Sequence, residues 1–157
     1  MSDYNKYMAI ALDEASKCIE SGDVPVGCVI VHNDEIIARA GNKIEASGNP
    51  LMHAEIAAIN QAVANIGHKH LLGCEMYITL EPCAMCAGAI VLARIDKLIY
   101  GAYDPKTGAA GSLYSICDDM RLNHRCDVIS GIMEEECSIL LKSFFSEIRK
   151  KKNAKQP

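Results

Sequence analysis

The absences in this sequence narrow it first. No stretch approaches the roughly 20 uninterrupted apolar residues that cross a bilayer, although half of the 157 residues are apolar. No membrane role is expected. The segment Met1 to Ile10 carries Asp3 and Lys6 among polar residues and has no basic patch leading into an apolar run. A secretory leader is therefore not expected, and the expected compartment is the cytoplasm. Nor is there an excess of positive charge: a net charge of −4 argues against a protein that coats nucleic acid, because such affinity comes mainly from neutralising phosphates. Internal repeats are also missing.

Eight cysteines are present. In a small secreted chain they would read as a disulfide framework, but in a reducing compartment metal binding or burial is the better reading. What positive charge there is crowds the C-terminal end, at Arg149, Lys150, Lys151, Lys152 and Lys155. The length fits one ordinary domain. Its expected extent is residues 1–150, followed by a basic polar tail at 151–157.

Periodicity supplies the elements. Met8, Ala11, Leu12, Ala15 and Ile19 recur at three- and four-residue steps, which predicts a helix over Tyr4 to Ile19. Val26 to Val31 and Glu35 to Ala40 read as strands joined by a turn at His32-Asn33-Asp34. A loop holding Gly41, Asn42, Gly48 and Pro50 leads to a helix from about His53 to Ala64. Glu75 to Leu80 reads as a third strand, and Pro82 suits the first turn of a helix running to about Ala93. Lys97 to Tyr100 and Asp127 to Ile129 complete five strands, with a glycine-containing loop from Gly101 to Ser112. A last helix is expected from about Glu134 to Lys150, anchored by Ile139, Leu140, Phe144 and Ile148. Strands alternating with helices indicate an α/β fold: three layers, α/β/α, around a central mixed five-stranded sheet whose early hairpin is antiparallel and later crossovers parallel.

The chemistry resides in His53-Ala54-Glu55 followed about thirty residues later by Pro82-Cys83-Ala84-Met85-Cys86. Alone, a histidine at a helix start is commonly a cap, and a Cys-x-x-Cys can be a redox pair. Together they form a ligand set. Zinc takes four tetrahedral ligands, and a catalytic site keeps one position for water, so His53, Cys83 and Cys86 make an open site. A base must then collect the proton of that water, and Glu55, two residues beyond the histidine, lies close enough without being a ligand. The other six cysteines, Cys18, Cys28, Cys74, Cys117, Cys126 and Cys137, read as small buried hydrophobes. Lys106-Thr107-Gly108 does not open a helix in the manner of a phosphate-binding loop.

The combination His-x-Glu with Pro-Cys-x-x-Cys resembles the signature of zinc-dependent nucleobase deaminases. Val24-Pro25-Val26-Gly27, Thr79 to Ala89, Lys106 to Ser112, Asn123-His124-Arg125 and the Cys137 to Phe145 segment extend the resemblance across nearly the whole chain to the bacterial tRNA-specific adenosine deaminases of the cytidine deaminase superfamily. That resemblance implies a cytidine deaminase-like fold and a homodimer with one Zn²⁺ per chain. It also implies hydrolytic conversion of adenosine to inosine at the wobble position of an arginine tRNA, bound through its anticodon loop. It assigns zinc ligation to His53, Cys83 and Cys86 and proton transfer to Glu55. To Asn42, Asp104, Lys106, Asn123 and Arg149 it assigns substrate contacts. Two other readings stay open. A deaminase of a free base such as guanine would use the same zinc chemistry in a closed pocket, and a non-enzymatic zinc module would want a closed four-ligand site.

Overall fold

Asp3 starts the first helix, α1 (Tyr4–Lys17), by accepting the amide hydrogen of Lys6 at 3.1 Å, a side-chain cap of the ordinary kind. The computed structural model describes residues 3–156. α1 buries Tyr7, Met8, Ala11 and Ala15 and ends two residues before the expected Ile19, because Cys18–Ser21 tighten into a 3₁₀ turn closed by left-handed Gly22. Strands β1 (Gly27–His32) and β2 (Glu35–Gly41) form the expected hairpin. Its two-residue turn puts both Asn33 and Asp34 at positive φ, the backbone that matches the twist of a tight hairpin. The remaining elements are α2 (Ile44–Ser47), α3 (Ala54–Ile66), β3 (Cys74–Leu80), α4 (Ala84–Leu92), β4 (Lys97–Ala102), β5 (Asp127–Ile129) and α5 (Glu134–Ala154).

The sheet has the order β2-β1-β3-β4-β5. β1 pairs antiparallel with β2 and β3, whereas β3–β4 and β4–β5 are parallel. Because side chains alternate along a strand, each face makes its own core. Val29, Val31, Tyr77 and Ile99 meet α1 and α5 through Met8, Ala11 and Cys137. Cys28, Ile30, Met76, Ile78 and Leu98 meet α3 and α4 through Ala54, Ala58, Ala87 and Ile90. The three-layer mixed α/β sheet expected from the strand pattern is thus the observed one.

Five details depart from the sequence reading. The loop after β2 contains the short helix α2, which the polar composition concealed. Pro82 does not enter the helix: α4 begins at Ala84 with Cys83 as its N-cap. β4 continues through Gly101, where a Cβ would collide with the Cys137 sulfur of α5, so the strand and helix approach closely there. α5 runs on to Ala154, so the division at residue 150 falls inside a helix and the lysines occupy its last turns. Ile139, expected among the anchors of α5, is 55% exposed; of the expected anchors Phe144 is buried, and Cys137 and Leu141 hold the helix with it. Among the described residues no helix is long and apolar enough to cross a membrane.

This layering delivers the C-terminal end of β3 and the N-termini of α3 and α4 to one place. It also depends on Gly27, where a Cβ would run into the Ala11 carbonyl and the Ala15 amide of α1. Gly27→Ala should push α1 off the sheet and destabilise the fold by about 1–3 kcal/mol, the usual cost of overpacking. Urea titration of the two proteins measures it, and an unchanged midpoint would contradict the packing described.

Candidate active site

His53 and Cys83 hold equivalent positions, each the extended N-cap residue of the helix that follows it. Neither side chain caps its own helix, so both are free to point outward. Cys86 comes one turn into α4 and is fully buried. The Nδ1 atom of His53 lies 3.7 Å from Cys83 Sγ and 3.5 Å from Cys86 Sγ. A tetrahedral zinc with Zn–N near 2.0–2.1 Å and Zn–S near 2.3 Å requires ligand–ligand edges of roughly 3.6 Å. The donor set therefore fits the metal in kind and in spacing. Two helix N-termini also aim partial positive charge at the sulfurs, which favours thiolates. Hydrogen bonds from Cys86 and then His53 pull the Cys83 thiol down to about 4, while Cys86, the donor, is pushed up. The bond to Cys83 in turn raises His53.

Glu55 stands in the first turn of α3 and is 4% exposed. Burial pushes its carboxyl up to about 7. It shares with His53 and Cys83 a cavity of about 220 Å³ whose other walls include Val24, Val26, Asn42, Ile44, Leu80, Asp104 and Thr107. That is smaller than the roughly 300–1,000 Å³ of pockets for drug-sized ligands. It suits one flat heterocyclic base. A metal donor set with one side open, a buried carboxylate beside it and apolar walls can activate water against a heterocycle.

The other expected contact residues divide. Asn42 lines the cavity, donating from Nδ2 to the Val24 carbonyl at 3.3 Å and accepting the Ile44 amide at 3.4 Å. Asp104 lines it too, with its carboxylate holding the amides of Lys106 and Thr107 and the Thr107 hydroxyl. Lys106 faces a neighbouring groove that shares Val24, Leu80, Asp104 and Thr107 with the cavity and is closed by Tyr103, Leu141 and Phe145. Arg149 is four residues beyond Phe145 on α5 and so continues the same helix face. Asn123 is not brought to the cavity. It borders a separate groove with Arg94, His70 and His124.

Two buried carboxylates that the sequence reading passed over support these walls. Asp23, 1% exposed, accepts the amides of Glu45 and Ala46 at 2.6 and 3.1 Å and the Ser21 hydroxyl at 2.7 Å. It thereby caps α2 from 22 residues upstream. Glu81 does the same for the loop that contains Asp104 and Thr107. The one signal for either was an acidic residue next to an apolar strand, and their partners are too distant in sequence to be read from spacing.

Residues 1–102 match the model of the cytidine and deoxycytidylate deaminase zinc-binding region. The chain belongs to the cytidine and deoxycytidylate deaminase family. Its relatives in that family include the tRNA-specific adenosine deaminase of Bacillus subtilis (strain 168), 49% identical over 148 residues, which are 94% of this chain and 92% of that one. A solved chain from a study of A-to-I editing by tRNA:A34 deaminases at the wobble position of transfer RNA superposes with a TM-score of 0.83 at 43% identity, covering 87% of this chain and 99% of the other. A guanine deaminase from Bacillus subtilis gives a TM-score of 0.63 at 34% identity, with 71% of each chain covered. This deaminase is thus an enzyme with a zinc-binding domain, and its His53, Cys83 and Cys86 are grouped as a metal requires.

Asp23 gives this deaminase a pH test of one cavity wall. Burial alone would raise its carboxyl, but the bonds from Ser21, Glu45 and Ala46 outweigh burial and hold it below the usual range. A depressed pKa contributes stability that is present above the unfolded value near 3.8 and lost as pH falls through the folded one. Asp23→Asn should therefore cost about 1–3 kcal/mol at neutral pH, with the gap to wild type closing below pH 4. A gap that stays constant across that range would show that the charge on Asp23 is not what caps α2.

Proposed function

We propose that this deaminase converts adenosine to inosine by hydrolysis at the wobble position of a tRNA, an arginine tRNA being the expected substrate. The observation that carries the chemistry is the carboxylate of Glu55, buried in the same cavity wall as His53 and Cys83. Support for the substrate comes from relatives named tRNA-specific adenosine deaminase that align over nearly the full chain. His53 Nδ1, Cys83 Sγ and Cys86 Sγ would hold the zinc. Bound there, it would supply a Lewis acid that makes a water nucleophilic near neutral pH.

The protein's own residues do the rest. Glu55 takes a proton from the attacking water, delivers it to the ring nitrogen beside the reacting carbon, and passes on a second proton as ammonia leaves. Atoms balance as adenosine plus water giving inosine plus ammonia. Val24, Val26, Ile44 and Leu80 keep bulk water off the ring. Asn42 retains one Nδ2 hydrogen after bonding Val24, enough to orient a base or ribose. Asp104 and Lys106 would meet the neighbouring nucleotides, and Arg149, at the exposed end of α5, a backbone phosphate. An anticodon loop is already single-stranded, so presenting its base costs little. Asn123 would reach RNA only from a different face. Residues 1–150 would serve as the deaminase unit, with 151–157 as its polar end, in the cytoplasm.

We also propose a homodimer. Leu92, 79% exposed, and Leu122, 42% exposed, border one groove, and Met120 nearby in the chain is 80% exposed, the mark of an interaction face. Sedimentation should give about twice the 17.0 kDa chain mass, and a fully active monomer would refute it.

Glu55→Gln keeps the shape but cannot accept a proton. Incubated with total cellular tRNA, wild-type protein should introduce inosine, read by sequencing. The variant should keep its zinc and lose at least about 10²- to 10⁴-fold in rate. Near-normal turnover by the variant would remove Glu55 from the mechanism, and wild-type protein that releases ammonia from guanine but not from tRNA would favour the free-base reading.

A further inference from the structure

Two residues before Cys83, Glu81 closes β3 at 2% exposure, and its carboxylate is fully engaged. Oε1 accepts the Asp104 amide at 3.0 Å and the Ser112 hydroxyl at 2.5 Å. Oε2 accepts the amides of Ala110 at 3.2 Å and Ser112 at 2.9 Å. The backbone on either side reinforces this clamp: the Glu81 amide donates to the Ala102 carbonyl, the Ala109 amide donates to the Pro82 carbonyl, and Cys83 bridges to Gly108. Gly108 fits because it has no Cβ, which would run into the Glu81 carboxyl group and the Asp104 carbonyl. The loop from 104 to 112 is therefore held against the very turn that presents a metal donor. From that loop Asp104 and Thr107 form one wall of the cavity.

A buried carboxylate that served stability alone would not need its four donors to come from one loop. Here all four do. From this geometry we infer that Glu81 is a positioning residue for the substrate: by docking the 104–112 loop on the Cys83 turn, it sets how far the substrate-facing wall stands from the metal site. It touches no reacting atom and moves no proton. Charge-assisted bonds are the stronger kind, and a glutamine, whose amide group has one acceptor oxygen, can satisfy one side of the clamp only. The inference rests on the deaminase reading above and assigns the specificity of that same cavity to a residue outside the reacting set.

Two variants test it by different routes. Glu81→Gln weakens the clamp, and Gly108→Ala wedges the loop away while leaving the carboxylate intact. Each is compared with wild type for zinc content, for hydrogen exchange at the amides of Asp104, Ala110 and Ser112, and for KM and kcat on an anticodon stem-loop. Both should keep about one zinc per chain and exchange those three amides roughly tenfold faster or more, the effect of losing a charge-assisted bond. KM should rise by a similar factor, with kcat within about threefold of wild type, as for an interaction made equally in ground and transition states. Unchanged exchange at these amides would overturn the inference, as would a fall in kcat with KM unmoved, or loss of zinc in both variants. Should Glu81→Gln fail to fold, Gly108→Ala decides. If the wild-type protein does not deaminate the stem-loop at all, the substrate reading fails by itself, and the exchange rates still judge the clamp.

Discussion

A single imidazole nitrogen has to meet two sulfurs that follow it in sequence by thirty residues and more, at 3.5 and 3.7 Å. That requirement makes two helices start at one point. α3 can come that close to the sheet because the residues it buries include Ala54, Ala57, Ala58 and Ala62, side chains that add little thickness. α4 likewise buries the small Ala87 against the sheet. Since β3 leads directly into the Cys83 cap, the strand order puts the donor set at the edge where antiparallel and parallel halves of the sheet meet. Larger residues on α3 would lengthen the metal's edges before they unfolded the chain.

Around those donors the cavity is framed by carboxylates with opposite assignments. Glu55 is buried with its charge disfavoured, as proton traffic requires, and its proposed role follows from that. Asp23 and Glu81 are equally buried yet satisfied by backbone amides and hydroxyls. Burying a charge is costly unless hydrogen bonds replace the lost water; Asp23 draws two of its three donors, and Glu81 all four of its own, from a distant segment. One supports α2 beside Asn42, the other supports the loop bearing Asp104 and Thr107. The walls that would select the substrate thus rest on two residues whose carboxylates are taken up by the protein itself.

This distribution explains which parts could be read from the chain. Hairpin, helices and strands declare themselves through periods of two and 3.6, and the donor set through short local spacing, His-x-Glu and Cys-x-x-Cys. The helix α2 did not, because its cap is Asp23 rather than a neighbour. Nor did Glu81, whose partners come 23 to 31 residues later. Pro82 looked like a first-turn proline, but the metal-facing geometry gives the cap to Cys83 and leaves the proline outside. At the other end, a run of lysines reads as a frayed tail although Leu141 and Phe144 hold α5 against the body and the helix continues past them. Contact residues such as Asn123 are carried by resemblance alone, and the fold of the chain sets Asn123 apart from the cavity.

X-ray absorption at the zinc edge of the purified protein measures the donor set directly. Two sulfurs near 2.3 Å, one nitrogen near 2.0–2.1 Å and one further light atom are the result this account requires, since an open site keeps its fourth position for water. A shell of four protein ligands, or protein that binds no zinc, would contradict it.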